Sequence, residues 1–153
     1  MNAERFQAVV AVHLFLRRGH EVLLAQRQNT GYEDGNFSVI AGHLDGGERA
    51  NQAMIREAAE EAGIEIAPAD LHFVHAMHRR ESAAAEERID LFFTATRWQG
   101  EPTICEPEKC GELTWMSLAA LPGNVVPYVR AALERTARGE TYSEFWPESV
   151  PHR

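Results

Sequence analysis

Residues 42–64 read GHLDGGERANQAMIREAAEEAGI, and this stretch decides the fold. Its opening is glycine-rich, with Gly42, Gly46 and Gly47 marking a loop from Ala41 to Glu48. From about Arg49 to Ala62 the chain has no Gly or Pro, and Gly63 follows as a C-terminal stop, so a helix is predicted there. At about 100° per residue, with Glu57 at zero, Ile55, Ala58, Ala59 and Ala62 fall at about 160°, 100°, 200° and 140° and form the expected buried face. Glu60 falls at about −60° and Glu61 at about +40°, so Glu57, Glu60 and Glu61 are expected to share the opposite face.

That acidic face is unfavourable for an isolated helix. Glu57 and Glu61 form an i,i+4 pair of like charges, which costs about 0.2–0.5 kcal/mol. Glu60 and Glu61 also sit in the last turn, where a negative charge opposes the helix dipole by about 0.3–1 kcal/mol. Arg56, at about −100°, flanks the acids without neutralising them. A solvated face is one reading. The other is a site for a hard divalent cation, Mg²⁺ or Mn²⁺, which takes several carboxylates and carries phosphate oxygens with it. The two penalties favour the second.

Outward from the helix, Val9 to Leu16 and Glu21 to Ala25 are apolar runs separated by Gly19-His20 and read as a hairpin. Asn29, Gly31, Asp34, Gly35 and Asn36 mark a loop, and Phe37 to Ile40 a short strand. Leu71 to Met77, Ile89 to Ala95 and Leu113 to Met116 are further strands, with a polar connection from Glu81 to Glu87. Val125 to Ala137 reads as a second helix ended by Gly139. The tail from Tyr142 to Arg153 is expected to dock through Phe145 and Trp146. No repeat or linker interrupts the chain, so a single α/β domain over residues 1–153 is the economical expectation.

The 153 residues are 44% hydrophobic and carry a net charge of −8, an ordinary globular composition that argues against disorder and against nonspecific gripping of a nucleic-acid backbone. An anionic substrate would therefore need metal cations. Two cysteines, Cys105 and Cys110, cannot make a disulfide scaffold or a four-thiolate zinc site, and a reducing cytoplasm is the expected location. The apolar run Ala8 to Leu16 contains His13, leads into Arg17-Arg18 and lacks a small-residue cleavage site, so neither a signal peptide nor a membrane span is expected.

Read with its loop, the segment is Gly42, five residues, Glu48, seven residues, then Arg56-Glu57-Ala58-Ala59-Glu60-Glu61-Ala62-Gly63-Ile64. This resembles the Nudix box of the Nudix hydrolases, G-x5-E-x7-R-E-U-x-E-E-x-G-U. Ala58 stands where the family usually has a bulkier aliphatic residue, and Ile40-Ala41-Gly42 replaces the frequent Pro-Gly-Gly entry. The resemblance implies an α/β/α sandwich with a mixed sheet, and divalent-metal hydrolysis of a nucleoside diphosphate linked to another moiety. By match to the box, Glu57, Glu60 and Glu61 are the catalytic and metal-binding carboxylates, and one of them helps to position or deprotonate the attacking water. Ala41 offers a backbone carbonyl to the metal, while Glu48, Arg56 and Gly63 are structural, with Arg56 pairing with Glu48 or another acid. Gly42 and Gly46-Gly47 let the loop approach metal or phosphate.

Within the family the resemblance is to the MutT-like nucleoside triphosphate pyrophosphatases, which release a nucleoside monophosphate and pyrophosphate. It implies that Arg27 meets phosphate, that Glu108, with Glu112 second, adds an acid to the metal site, and that Asn124 reads a base edge. Asn124 as a helix N-cap is the competing reading. Small nucleotides, and neither nucleic-acid polymers nor membranes, are the implied partners, with a homodimer left open. ADP-ribose, dinucleoside polyphosphates or another capped diphosphate are the alternative substrates. A nucleotide sensor without catalysis is the third reading, disfavoured because every motif acid is kept. Isomerisation of an allylic diphosphate is the least favoured.

Overall fold

A computed structural model describes residues 4–153; residues 1–3 of the expected 1–153 domain lie outside them. Strand β1 (Val9–Arg18) turns at Gly19-His20 into β2 (Glu21–Arg27), where Gly19 adopts φ 60°. β1 is the centre of an eight-stranded mixed sheet. It runs parallel to β6 (Arg88–Ala95) and antiparallel to β4 (Ile40–His43). β6 pairs antiparallel with β5 (His72–Arg79), which carries β8 (Tyr142–Phe145) in parallel at the edge. β2 carries β3 (Phe37–Ser38) and β7 (Cys110–Ser117), both antiparallel.

Helices α1 (Ala50–Ala62) and α2 (Pro127–Ala137) cover the two faces, giving the expected α/β/α sandwich. The pleat of β1 divides its side chains between two cores. Val12, Leu14 and Leu16 pack with Met54, Ala58 and Ile64 on the α1 side, while Phe15 packs with Leu24, Val129 and Leu133 on the α2 side. Burial on both faces explains why β1, apart from His13, is apolar from Val9 to Leu16 rather than alternating. No helix among the described residues is long and apolar enough to cross a membrane.

The structure differs from the sequence expectations at four places. The single strand Phe37 to Ile40 is two strands: β3 stays with β2, and β4 crosses to β1 and continues through Ala41, Gly42 and His43, which were expected in a loop. α2 begins at Pro127, not Val125, because Val125 bridges to Phe37 and the proline's fixed φ and missing N–H suit the first helical turn. The tail docks as strand β8, not through aromatic contacts alone. On α1 the buried side chains are Ala53, Met54, Ala58 and Ala62, whereas Ala59 is exposed. Ala53 and Met54 lie at about −40° and +60°, so the buried arc takes in the direction of Glu57 and Glu61. Those two acids are not opposite the core; they lie against it.

One polar cluster sits inside the sheet. Asp90 is fully buried, accepts from Arg79 Nε at 2.6 Å and Nη2 at 3.3 Å, and lies 3.0 Å from His13 Nε2. Burial opposes ionisation of Asp90, but His13 and Arg79 outweigh it and hold its carboxyl down at about 2. Arg79 stacks 3.6 Å over the Tyr128 ring and also reaches Glu81, which accepts from Tyr32 Oη at 2.5 Å.

Candidate active site

The sheet, α1 and the loop before β7 enclose a cleft of about 620 Å³. Its acidic wall is Glu57, Glu60 and Glu61 from α1, with Asp45 and, from the loop, Glu106. β4 forms the floor through Ile40, Ala41, Gly42 and His43. The end of β2 contributes Gln26 and Arg27, and the start of β7 contributes Cys110, with Lys109 just before it.

Each acid is held differently. Glu61 faces inward and accepts a hydrogen bond from the Ala41 amide at 3.2 Å. Burial, then the charge of Glu57, pushes its carboxyl up to about 9. Glu57 is 14% exposed and accepts from Arg56 Nη1 at 2.7 Å. Glu60 is 55% exposed and receives the same nitrogen at 3.3 Å. Arg56 also makes a two-pronged contact with Glu48, Nη2 to Oε1 at 2.7 Å and Nε to Oε2 at 3.2 Å, and approaches Asp45 at 3.3 Å. These bonds hold the Glu48 carboxyl below the usual range and raise the Arg56 guanidinium. Arg56 therefore clamps the carboxylates of the Asp45–Glu48 loop to those of the helix, and does more than flank them.

Gly42 makes this possible. A side chain there would overlap the Glu57 carboxyl, so only glycine lets the helix acid lie against β4. At the other end of α1, Gly63 takes φ 66° and its amide caps the carbonyls of Ala58 and Ala59.

Other expected site residues are placed differently. Glu108 does not line the cleft; it is exposed, its carbonyl accepts from Asn29 Nδ2 at 2.9 Å, and Glu106 stands in the cleft instead. Glu112 is exposed and outside the lining too. The register that decides this is Arg27 opposite Cys110, a pairing that single-strand periodicity does not specify. Arg27 lines the cleft, but its Nε donates to the Tyr32 carbonyl at 2.8 Å and its Nη2 to Thr30 Oγ1 at 3.1 Å, bracing the loop at Thr30–Tyr32. Asn124 is not the N-cap of α2, which is Val126, and it does not line the cleft; its Nδ2 donates to the Gly35 carbonyl at 3.1 Å. Phe37 is buried core, and the two cysteines are free thiols. Lys109 and Glu106 were not foreseen.

Among the described residues no three His, Cys, Asp or Glu side chains are arranged around one point as a ready coordination shell. Arg56 draws Glu57 and Glu60 toward itself, while Glu61 turns to Ala41. The donors nevertheless suit a hard cation: all are carboxylate oxygens, and the buried pair Glu57 and Glu61 lacks a shared positive partner.

Comparison with known proteins gives a consistent set of relatives. The NUDIX domain family model matches residues 5–136. The chain is 30% identical over 109 residues to the NAD-capped RNA hydrolase NudC of Pseudomonas aeruginosa, covering 71% of this chain and 36% of that protein. It thus spans about a third of the length of those relatives. It is 29% identical over 119 residues to the 8-oxo-dGTP diphosphatase of Escherichia coli, covering 77% of this chain and 86% of that one. The crystal structure of a MutT NUDIX hydrolase from Burkholderia pseudomallei superposes with a TM-score of 0.78 at 27% identity, over 84% of this chain and 98% of that one.

Proposed function

The chain belongs to the Nudix family and is a Nudix pyrophosphohydrolase, and on that premise we propose that it splits (deoxy)nucleoside triphosphates into a nucleoside monophosphate and pyrophosphate. The observation that carries the reading is the pair Glu57 and Glu61, pressed together beside β4 at the base of a cleft wide enough for a nucleotide.

Nudix hydrolases generally use divalent metals, and Glu57, Glu60, Glu61 and the Ala41 backbone would hold Mg²⁺ or Mn²⁺ here, with Glu106 replacing Glu108 as the added acid. Such ions neutralise phosphate charge and lower the pKa of bound water. The chain's own residues supply the rest. Arg56 fixes the Glu57 carboxylate, and the Ala41 amide orients Glu61. A carboxylate of this group takes the proton of the attacking water. Gly42 lets the Glu57 carboxylate lie against the β4 backbone where the phosphates are proposed to bind, and Arg27, braced by its loop, meets them at the rim. Asn124, which lies beyond the cleft lining and donates to the Gly35 carbonyl, is the proposed contact to a base that extends past the rim. The setting is cytoplasmic.

The test is a magnesium-supplemented screen of nucleotides with chromatography of the products. Release of pyrophosphate from triphosphates, abolished by EDTA, is the expected result. A second reading rests on the NAD-capped RNA hydrolase relatives and takes a doubly esterified diphosphate as substrate. It gives two phosphorylated products and no pyrophosphate.

A further inference from the structure

Resting on that reading, we propose that Lys109 selects substrates with a free terminal phosphate, nucleoside triphosphates, over dinucleotides whose diphosphate is esterified at both ends. Lys109 is the only lysine in the chain. It stands at the cleft because its carbonyl accepts from the Gln28 amide at 3.0 Å and its amide donates to the Glu106 carbonyl at 2.9 Å. These bonds fix the residue beside the paired ends of β2 and β7.

Five carboxylates line the same cleft, yet among the described residues Lys109 forms no ion pair. The other lining cation, Arg27, spends Nε and Nη2 on Tyr32 and Thr30 and keeps only Nη1 for the rim, and Arg56 is consumed by four acids. Lys109 is the lining cation whose charged group has no such commitment among the described residues. Metal held by the α1 acids would meet the phosphates nearest the scissile bond. A triphosphate carries further charge on its terminal group, and a mobile ammonium with three donors at the rim matches that charge without demanding one geometry. A diphosphate blocked at both ends has no such group to offer.

Two measurements test this. Lys109→Met should lower kcat/KM for a nucleoside triphosphate about fivefold through KM, and that for NAD by at most about twofold, as fits one partly screened ion pair. Lys109→Arg should restore most of the triphosphate rate. The second measurement needs no turnover: acetylation of Lys109 in the native protein, followed by peptide mass spectrometry. Magnesium tripolyphosphate should slow that acetylation about fivefold or more, and magnesium with NAD by less than half that factor, because only the first leaves a terminal phosphate at the ammonium. Equal losses on both substrates, or acetylation indifferent to tripolyphosphate, overturn the assignment. If the native protein cleaves neither substrate, the proposed reaction fails while the acetylation result still decides the role of Lys109.

Discussion

Glu61→Gln is expected to stabilise the metal-free protein at alkaline pH while destroying its activity. In the folded chain the Glu61 carboxyl, buried beside Glu57, ionises only near about 9, against 4.5 for an ordinary glutamate. Below about pH 4.5 the folded and unfolded chains both keep the proton, and the residue costs nothing. Above it the unfolded chain releases the proton and the folded chain does not, so stability falls as pH rises until about 9. At 1.36 kcal/mol per unit, the penalty at the top of that window is on the order of 6 kcal/mol. Glutamine has nearly the same shape, can still accept from the Ala41 amide, and never ionises. Urea unfolding of both proteins in EDTA at pH 5, 7 and 9 should give similar stabilities at pH 5 and a gap that widens with pH in favour of the variant. Added magnesium should close the gap by stabilising the native protein alone. Parallel pH profiles for the two proteins would show that Glu61 is not held in a low-dielectric site beside Glu57, and the account of the site would fail with it.

Glu57→Gln should lower kcat by at least about a hundredfold with an unchanged circular dichroism spectrum; native turnover under saturating magnesium would remove Glu57 from the chemistry. Gly42→Ala should cost only about 1–2 kcal/mol in urea, since the Glu57 side chain can swing aside, but kcat should fall more than about tenfold as Glu57 leaves Arg56. Asp90→Asn leaves buried Arg79 without its anion and should cost about 3–5 kcal/mol, a fall of about 10 °C in Tm or more by calorimetry. Because Asp90 is depressed to about 2, its contribution is present above the unfolded value near 3.8 and is lost as pH falls from there toward 2. The variant should therefore lack that part of the native protein's acid destabilisation.

The sandwich was legible because its decisive signals are local. The run from Val9 to Leu16 announces a strand buried on both faces, and Gly63 stops α1 where the sequence places a C-terminal glycine. The acidic face of α1 was legible as an electrostatic fault, two penalties that helix stability cannot explain. What was not legible depends on pairing between distant segments. The break between Ser38 and Ile40 exists because β3 and β4 have different partners, β2 and β1. Glu106 enters the cleft, and Glu108 stays outside, because Cys110 is opposite Arg27 rather than one step along. The Asp90, Arg79 and His13 cluster joins residues from three strands, and none has a sequence neighbour that marks it as buried. Strand β8 escaped detection because Tyr142 to Phe145 is short and half exposed, and its hydrogen bonds to β5 hold it there.

The small side chains of α1 explain how a helix can carry carboxylates against a sheet. Ala53, Ala58 and Ala62 are fully buried, so apart from Met54 the helix rides close to the strands on methyl groups. Close approach brings the Glu61 carboxyl within reach of the Ala41 amide and the Glu57 carboxyl over Gly42, positions that solvated side chains at the same angles would not reach. A bulkier aliphatic at position 58, the residue more usual at this point of the motif, would have to fit into an interior already filled by Leu14, Met54 and Ile64, with the overpacking cost of about 1–3 kcal/mol that follows. Alanine at 58 thus belongs to the geometry of the site as much as to the core. The same close packing requires Arg56, because two carboxylates held near a low-dielectric floor need a neighbouring cation. Arg56 supplies it at the level of Glu48, Glu57 and Glu60, and leaves Glu61, the innermost acid, as the one whose charge something else must neutralise.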